Sequence, residues 1–260
     1  MNARIAILGV PIDAVTMAGA VSAFETLIAR RRPALAFSLN VDICMKIQRD
    51  DGLRTIFDHA DLVLVDGTPM TWAARFLGSP LPGRVSGSEL LPAFCRVAAV
   101  RGYRVFLLGG LPGVVERARR RLETDNPGLQ IVGTYAPPFG FEHDQAENTR
   151  IVAMIQAASP DALFVALGSP KEILWLARFR DVLRVPISMG VGSSFDYLAG
   201  RLKRAPRWLQ RLGLEWSYRL AQEPRRLWRR YLIENPPFVY HVMRERLASK
   251  PPSRPSTARP

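Results

Sequence analysis

The sequence predicts an α/β fold, a mostly parallel sheet with helices on both faces, followed by a helical appendage at the C-terminal end. Three observations predict it. Short apolar runs ending in glycine or a polar residue alternate with longer amphipathic stretches through the first 190 residues. Runs such as Leu62-Val63-Leu64-Val65 are too short for helices and continuously apolar, as strands covered on both faces are. After Arg201 these runs stop, and arginine-rich segments carrying tryptophan replace them.

Taken in order, a first strand is read over 5–10, where Pro11 and Asp13 interrupt the apolar stretch. It falls short of a signal-peptide core or a membrane span, so a strand is expected rather than a leader. A helix over about 14–30 leads to a strand over 34–40, and a helix over 41–49 precedes the strand 62–65. That strand delivers Asp66, after which Gly67 turns the chain and Pro69 opens a helix in its first turn. Further strands are expected over 105–110, 129–133, 162–168 and 186–192, with helices near 90–100, 114–123, 145–158 and 172–183. Asp66 thus sits at the carboxyl end of a strand, the edge where open α/β sheets bind ligands. Its carboxylate there is either a general base or a residue that shapes the turn and caps the helix through Thr68.

Two glycine loops also follow strands, Gly109-Gly110-Leu111-Pro112-Gly113 and Gly190-Val191-Gly192-Ser193-Ser194. Neither fits the dinucleotide pattern G-x-G-x-x-G, and each alone is either a tight turn or a phosphate cradle. Two on one sheet edge favour a nucleotide of some kind in a Rossmann-like core. An NAD-dependent oxidoreductase is disfavoured by the same mismatch.

Charge divides the chain. The net charge is +13, yet residues 201–260 hold 15 Lys+Arg against 4 Asp+Glu, so +11 belongs to the last quarter. Three helices are read there, started by Pro206 and Pro224 and stopped by Gly213 and Asn235-Pro236. The third places Leu227, Trp228, Tyr231 and Leu232 on one face and Arg225, Arg226, Arg229 and Arg230 on much of the other. This pattern suits an anionic membrane surface, or equally a helix packed on the core with a solvated basic face. The alternative function is a nucleic-acid binding module, since a +11 helical tail with aromatic residues suits phosphate contacts and base stacking; against it stands the nearly neutral core, which such a module would not require. The expected domains are a core over 1–200, an appendage over 201–247 and a disordered Pro/Ser/Arg-rich tail over 248–260. Cys44 and Cys95 suggest a reduced compartment without disulfides, and neither they nor the three histidines show metal-ligand spacing. No resident metal or cofactor is expected, and the oligomeric state stays open.

The blocks Ser38-Leu39-Asn40, Val65-Asp66-Gly67, Leu81-Pro82-Gly83-Arg84-Val85-Ser86-Gly87, Leu167-Gly168-Ser169-Pro170-Lys171 and Arg204-Ala205-Pro206-Arg207-Trp208 carry a family resemblance. So do Gly213-Leu214-Glu215-Trp216, Tyr218-Arg219-Leu220 and Glu223-Pro224-Arg225-Arg226-Leu227. Over about 4–232 the chain resembles the bacterial WecG/TagA/CpsF glycosyltransferase family. The resemblance implies inverting transfer of a ManNAc-, ManNAcA- or glucose-type sugar from a UDP-sugar to a polyprenyl-diphosphate-linked sugar. The setting it implies is surface polysaccharide assembly, peripheral at the cytoplasmic face of the membrane. It makes Asp66 the base, and with no Asp-x-Asp pair in the chain it leaves Arg219, Arg226 and Arg229 to meet the diphosphate without a metal. It places Ser38, Asn40 and Arg84 along the sugar or acceptor, and Gly168, Ser169, Pro170, Gly190, Gly192 and Asp196 on the nucleotide side. Two positions depart from the family pattern: Glu172 replaces a pocket glutamine and Glu89 stands where aspartate is usual. A carboxylate at 172 accepts hydrogen bonds but donates none unless protonated, which would alter the sugar hydroxyl it reads.

Overall fold

The structure, a computed structural model, describes residues 3–248. It opens with a hairpin, β1 (Arg4–Ile7) paired antiparallel with β2 (Val10–Asp13). Leu8 and Gly9 between them have φ of 51° and 74°, a two-residue turn whose twist matches that of the strands it joins. The one strand expected over 5–10 is therefore folded back on itself and stands outside the main sheet. Asp13, buried at its end, accepts a 2.8 Å hydrogen bond from the Val63 amide and pairs with Arg4 at 3.0 Å. This fastens the hairpin beside the sheet.

Next along the chain come α1 (Met17–Ala29), β3 (Leu35–Leu39), α2 (Val41–Ile47), α3 (Asp51–Asp58) and β4 (Leu62–Val65). The helix expected over 41–49 is followed by a second one, because Asp50 caps a fresh start through the Leu53 amide. Then come α4 (Thr68–Phe76), α5 (Gly87–Arg101), β5 (Arg104–Gly109), α6 (Val114–Asp125), β6 (Gln130–Tyr135) and α7 (Gln145–Ala158). The core closes with β7 (Ala162–Ala166), α8 (Lys171–Leu183), β8 (Ile187–Gly190) and α9 (Ser194–Leu198). Six of the strands form one parallel sheet in the order β4-β3-β8-β7-β5-β6.

Alternation along each strand divides its side chains between two layers. Phe37, Leu39, Val63, Val65, Phe106, Leu108, Leu163 and Val165 enter one core, with α2, α3, α4, α7 and α8. Ala36, Leu64, Leu107 and Phe164 enter the other, with α1, α5, α6 and α9. Burial on both faces explains why the strands read as unbroken apolar runs.

Beyond residue 200 lie α10 (Arg207–Arg211), α11 (Glu215–Gln222), α12 (Pro224–Arg229), a π-helical turn (Arg230–Glu234) and α13 (Pro237–Ala248). The last helix is additional to the three expected. Phe238 and Val242 join the core layer that contains α2, and the Glu245 carboxylate accepts from the Leu8 amide at 2.9 Å. The face expected to group Leu227 with Trp228, Tyr231 and Leu232 is divided: Leu227 is buried, whereas Trp228 and Leu232 are 50% and 56% exposed. The wider π turn changes the residue spacing here, and Arg230 comes inward. The tail expected over 248–260 lies, after Ala248, outside the described residues.

Candidate active site

A cavity of about 980 Å³ runs along the carboxyl edge of the sheet, and segments following all six strands line it. Ser38 and Asn40 follow β3, Asp66 follows β4, Gly110 follows β5, Phe141 follows β6, Gly168 and Ser169 follow β7, and Gly192 and Ser193 follow β8. Arg219, Arg226, Arg229 and Arg230 close it from the appendage.

Most charges in the cavity are already paired. Asp42 is held by Lys46 and Arg230, Asp196 by Arg201, Glu223 by Arg226 and Glu234 by Arg229. Glu172 accepts through Oε2 from the amides of Leu167, Gly168 and Gly192, at 3.2–3.3 Å. Among the described residues Asp66 alone lines the cavity with a carboxylate that has neither a cation nor an N–H bound to it. Its cationic counterpart is Arg219, the lining arginine with no carboxylate bound. Arg219 Nη2 donates to Ser193 Oγ at 3.1 Å, its Nε is buried without a partner, and its guanidinium lies 6.0 Å from the Tyr197 ring centre.

The environment tunes both groups. Burial pushes Asp66 up to about 6, Glu215 adds to the shift, and Arg84 and Arg219 oppose it. Burial alone would lower Arg219, but Tyr231, Tyr197, Asp66 and Glu215 together hold it above the ordinary arginine value. A carboxylate that titrates near neutrality beside a permanent cation suits proton removal coupled to departure of an anion. Asp66 does not cap α4: its N-cap is Gly67 and no side chain caps that helix.

Comparison with known proteins identifies the lineage of this arrangement. The profile of the glycosyl transferase WecG/TagA/CpsF family matches residues 5–252. The chain belongs to the WecG/TagA/CpsF family. It is 32% identical over 227 residues to an N-acetylglucosaminyldiphosphoundecaprenol N-acetyl-beta-D-mannosaminyltransferase of Bacillus spizizenii, covering 87% of this chain and 85% of that protein. A Staphylococcus aureus protein of the same name is 30% identical over 243 residues, covering 93% and 92%.

Within this family member, several expected site residues also have structural work, and three of them, Gly109, Pro170 and Arg84, are outside the cavity lining. Gly109 is not in the cavity lining; a Cβ there would come within 2.4 Å of the Ala166 carbonyl oxygen, so it serves the close approach of β5 to β7. The neighbouring Gly110 does line the cavity. The Gly168 and Gly192 amides, expected on the nucleotide side, are taken by Glu172, and a Cβ at Gly190 would lie 2.9 Å from the Glu172 side chain. Glu172 thus ties the β7–α8 turn to the β8–α9 turn. Pro170 is the N-cap residue of α8 and is outside the lining. Asn40 Oδ1 caps α2 through the Ile43 amide at 3.0 Å, which leaves its Nδ2 as the donor for a ligand, and the buried Ser38 Oγ has no partner.

Arg84 lies behind the wall rather than in the main cavity. It donates to Gln210 at 2.7 Å and pairs with Glu89 at 3.2 Å and Glu215 at 3.4 Å. Glu89 also pairs with Arg204 at 3.3 Å. Because Thr68 Oγ1 donates to the Gln210 carbonyl at 3.2 Å, α10 is hooked onto the turn that carries Asp66. The reading of the sequence missed Ser193, Tyr197 and Asp42 as cavity residues. For Asp42 a signal existed, the i,i+4 spacing to Lys46 immediately after Asn40.

Glu172 makes a stability prediction. Burial raises it to about 7, against the three backbone donors and Arg230. A carboxyl with a raised folded-state pKa binds its proton more tightly when folded, so its contribution is largest below the unfolded value and is lost as pH rises through about 7. Glu172→Gln keeps an acceptor for the amides and removes that loss. The variant is expected to be more stable than the parent at pH 8, by up to about 3 kcal/mol, and about equal to it at pH 4. Denaturant midpoints at both pH values check this.

Proposed function

We propose that the protein transfers a sugar, with inversion, from a UDP-sugar to the sugar of a polyprenyl-diphosphate-linked acceptor. The observation that carries this reading is that one cavity holds a carboxylate with neither a cation nor an N–H bound, Asp66, and a guanidinium with no carboxylate bound, Arg219, while its other carboxylates are engaged. Asp66 takes the proton of the acceptor hydroxyl as its oxygen bonds to the anomeric carbon. The bond from that carbon to the UDP phosphate breaks on the opposite face, UDP keeps the electron pair, and Arg219 meets the charge that develops. Arg226 and Arg229 are more exposed and already paired, so they take a lesser part. The names of the relatives support a GlcNAc-diphosphate-prenyl acceptor and an N-acetylmannosamine donor. Incubation with a panel of UDP-sugars and farnesyl-diphosphate-linked GlcNAc, with and without EDTA, tests the reading. Turnover with one donor, undiminished by EDTA, is expected; no turnover with any donor refutes the reading, and dependence on a divalent cation refutes the arginine-based account.

The same reading places residues 1–200 as the catalytic core and 201–247 as an appendage that completes the site at the inner face of the membrane. No helix among the described residues is long and apolar enough to cross a bilayer. On α12 and the π turn, however, Trp228, Leu232 and Ile233 are each at least half exposed, beside Arg225 and Arg229. Exposed aromatic and aliphatic side chains flanked by arginines suit insertion at an anionic lipid surface. Replacing Trp228, Leu232 and Ile233 by serine is expected to weaken binding to phosphatidylglycerol vesicles at least about tenfold. Unchanged flotation with the vesicles would assign membrane contact elsewhere.

A further inference from the structure

The reaction proposed above brings two diphosphates into one cavity, one on the leaving nucleotide and one on the lipid. Arg219 and Ser193, after β8, stand at one position for such a group. A second cationic position lies at the β3 side, on residues to which the proposed reaction gives no part. Lys46 Nζ and Arg230 Nη2 converge on one oxygen of Asp42, at 2.9 and 3.2 Å. Asp42 is 2% exposed, and all three residues line the cavity. Arg230 Nε is buried there with no hydrogen-bond partner.

A buried guanidinium nitrogen without an acceptor is costly, and an anionic oxygen is the acceptor that best offsets the cost. Asp42 holds two cations with one carboxylate, so the cluster keeps a net positive charge. It is two residues beyond Asn40 on the segment leaving β3, and β3 is the strand adjacent to β4, which delivers Asp66. Arg230 also opens the turn that exposes Leu232 and Ile233. The cluster thus joins the segment that leaves the strand next to β4 to the turn that carries the exposed apolar side chains, as a diphosphate joins sugar to prenyl chain in a lipid-linked acceptor.

We propose that Lys46 and Arg230, braced by Asp42, form a second diphosphate subsite that receives the prenyl diphosphate rather than the UDP. This inference rests on the proposed transfer reaction.

The test titrates the full chain, in detergent, with farnesyl diphosphate and separately with UDP. Lys46→Ala and Arg230→Ala are each expected to weaken farnesyl diphosphate binding about tenfold or more while UDP binding changes less than about twofold. Arg230→Lys, which keeps the charge but loses the fork, is expected to fall between Arg230→Ala and the parent. Retained UDP affinity shows that the variants are folded. Loss of UDP binding with farnesyl diphosphate binding intact would move the subsite to the nucleotide and overturn the proposal. Parental affinity for both ligands in Lys46→Ala and Arg230→Ala, or a joint loss of both in Arg230→Lys, would reduce the cluster to a structural ion pair. If the parent turns over lipid-linked GlcNAc yet its variants bind farnesyl diphosphate normally, the subsite fails and the transfer reaction stands. If the parent binds neither ligand, both fail.

Discussion

Asp66→Asn is expected to lower kcat by about 10²–10⁴-fold while leaving UDP affinity within about twofold of the parent. Asparagine fills the same space at the end of β4 but cannot take a proton, and no other carboxylate in the lining is unengaged among the described residues. The substitution should not unfold the chain. Asp66 neither caps α4 nor accepts a side-chain hydrogen bond, and its burial makes the ionised form a cost to stability. The parent's pH profile supplies an independent check. With Asp66 raised to about 6, kcat/KM should fall as pH drops through about 6, because protonation removes the base. Glu172 titrates above that, at about 7, and its Gln variant should retain the same acid limb. Equal turnover by Asp66→Asn and the parent would remove Asp66 as the base.

Arg219→Ala is the second large effect, expected to lower kcat by about 10²–10³-fold, the range for removing one preorganised donor to a developing anion. The neighbouring arginines provide the contrast. Arg226 pairs with Glu223 at 2.8 Å and is 55% exposed along its side chain; Arg229 pairs with Glu234 at 3.3 Å and is 73% exposed. Solvent screening leaves such groups less to contribute, so Arg226→Ala and Arg229→Ala should each cost about tenfold or less. Single-turnover rates at saturating donor would separate loss of chemistry from loss of binding. Similar losses at all three positions would mean that the exposed pairs rearrange around substrate and share the role.

Much of the sheet and one pole of the site can be read from the residues in order. A strand covered on both faces is an apolar run, and five or six such runs separated by helical stretches announce a parallel sheet. Asp66 is conspicuous because a carboxylate follows such a run. The hairpin is harder to read, since Leu8 adopts a left-handed conformation that its residue type does not advertise. The interior roles of the glycines are equally hidden. Gly168 and Gly192 resemble phosphate donors in sequence, but whether an amide is free depends on Glu172, which meets both only once β7 and β8 are neighbours. Arg230 and Arg229 are adjacent and chemically identical. Only the π turn and the position of Asp42 turn one inward and leave the other 73% exposed. Pairing is a tertiary property, and in this cavity pairing decides which charges remain available.

The central claim is a single displacement, with Asp66 deprotonating the acceptor and no covalent sugar-enzyme intermediate. The anomeric configuration of the first-formed product tests it most directly, read by proton NMR after transfer from an α-linked UDP-sugar to farnesyl-diphosphate-linked GlcNAc. The account predicts a β-linked product throughout the time course. An α-linked product would mean net retention, which a single in-line displacement cannot give, and would contradict the role given to Asp66.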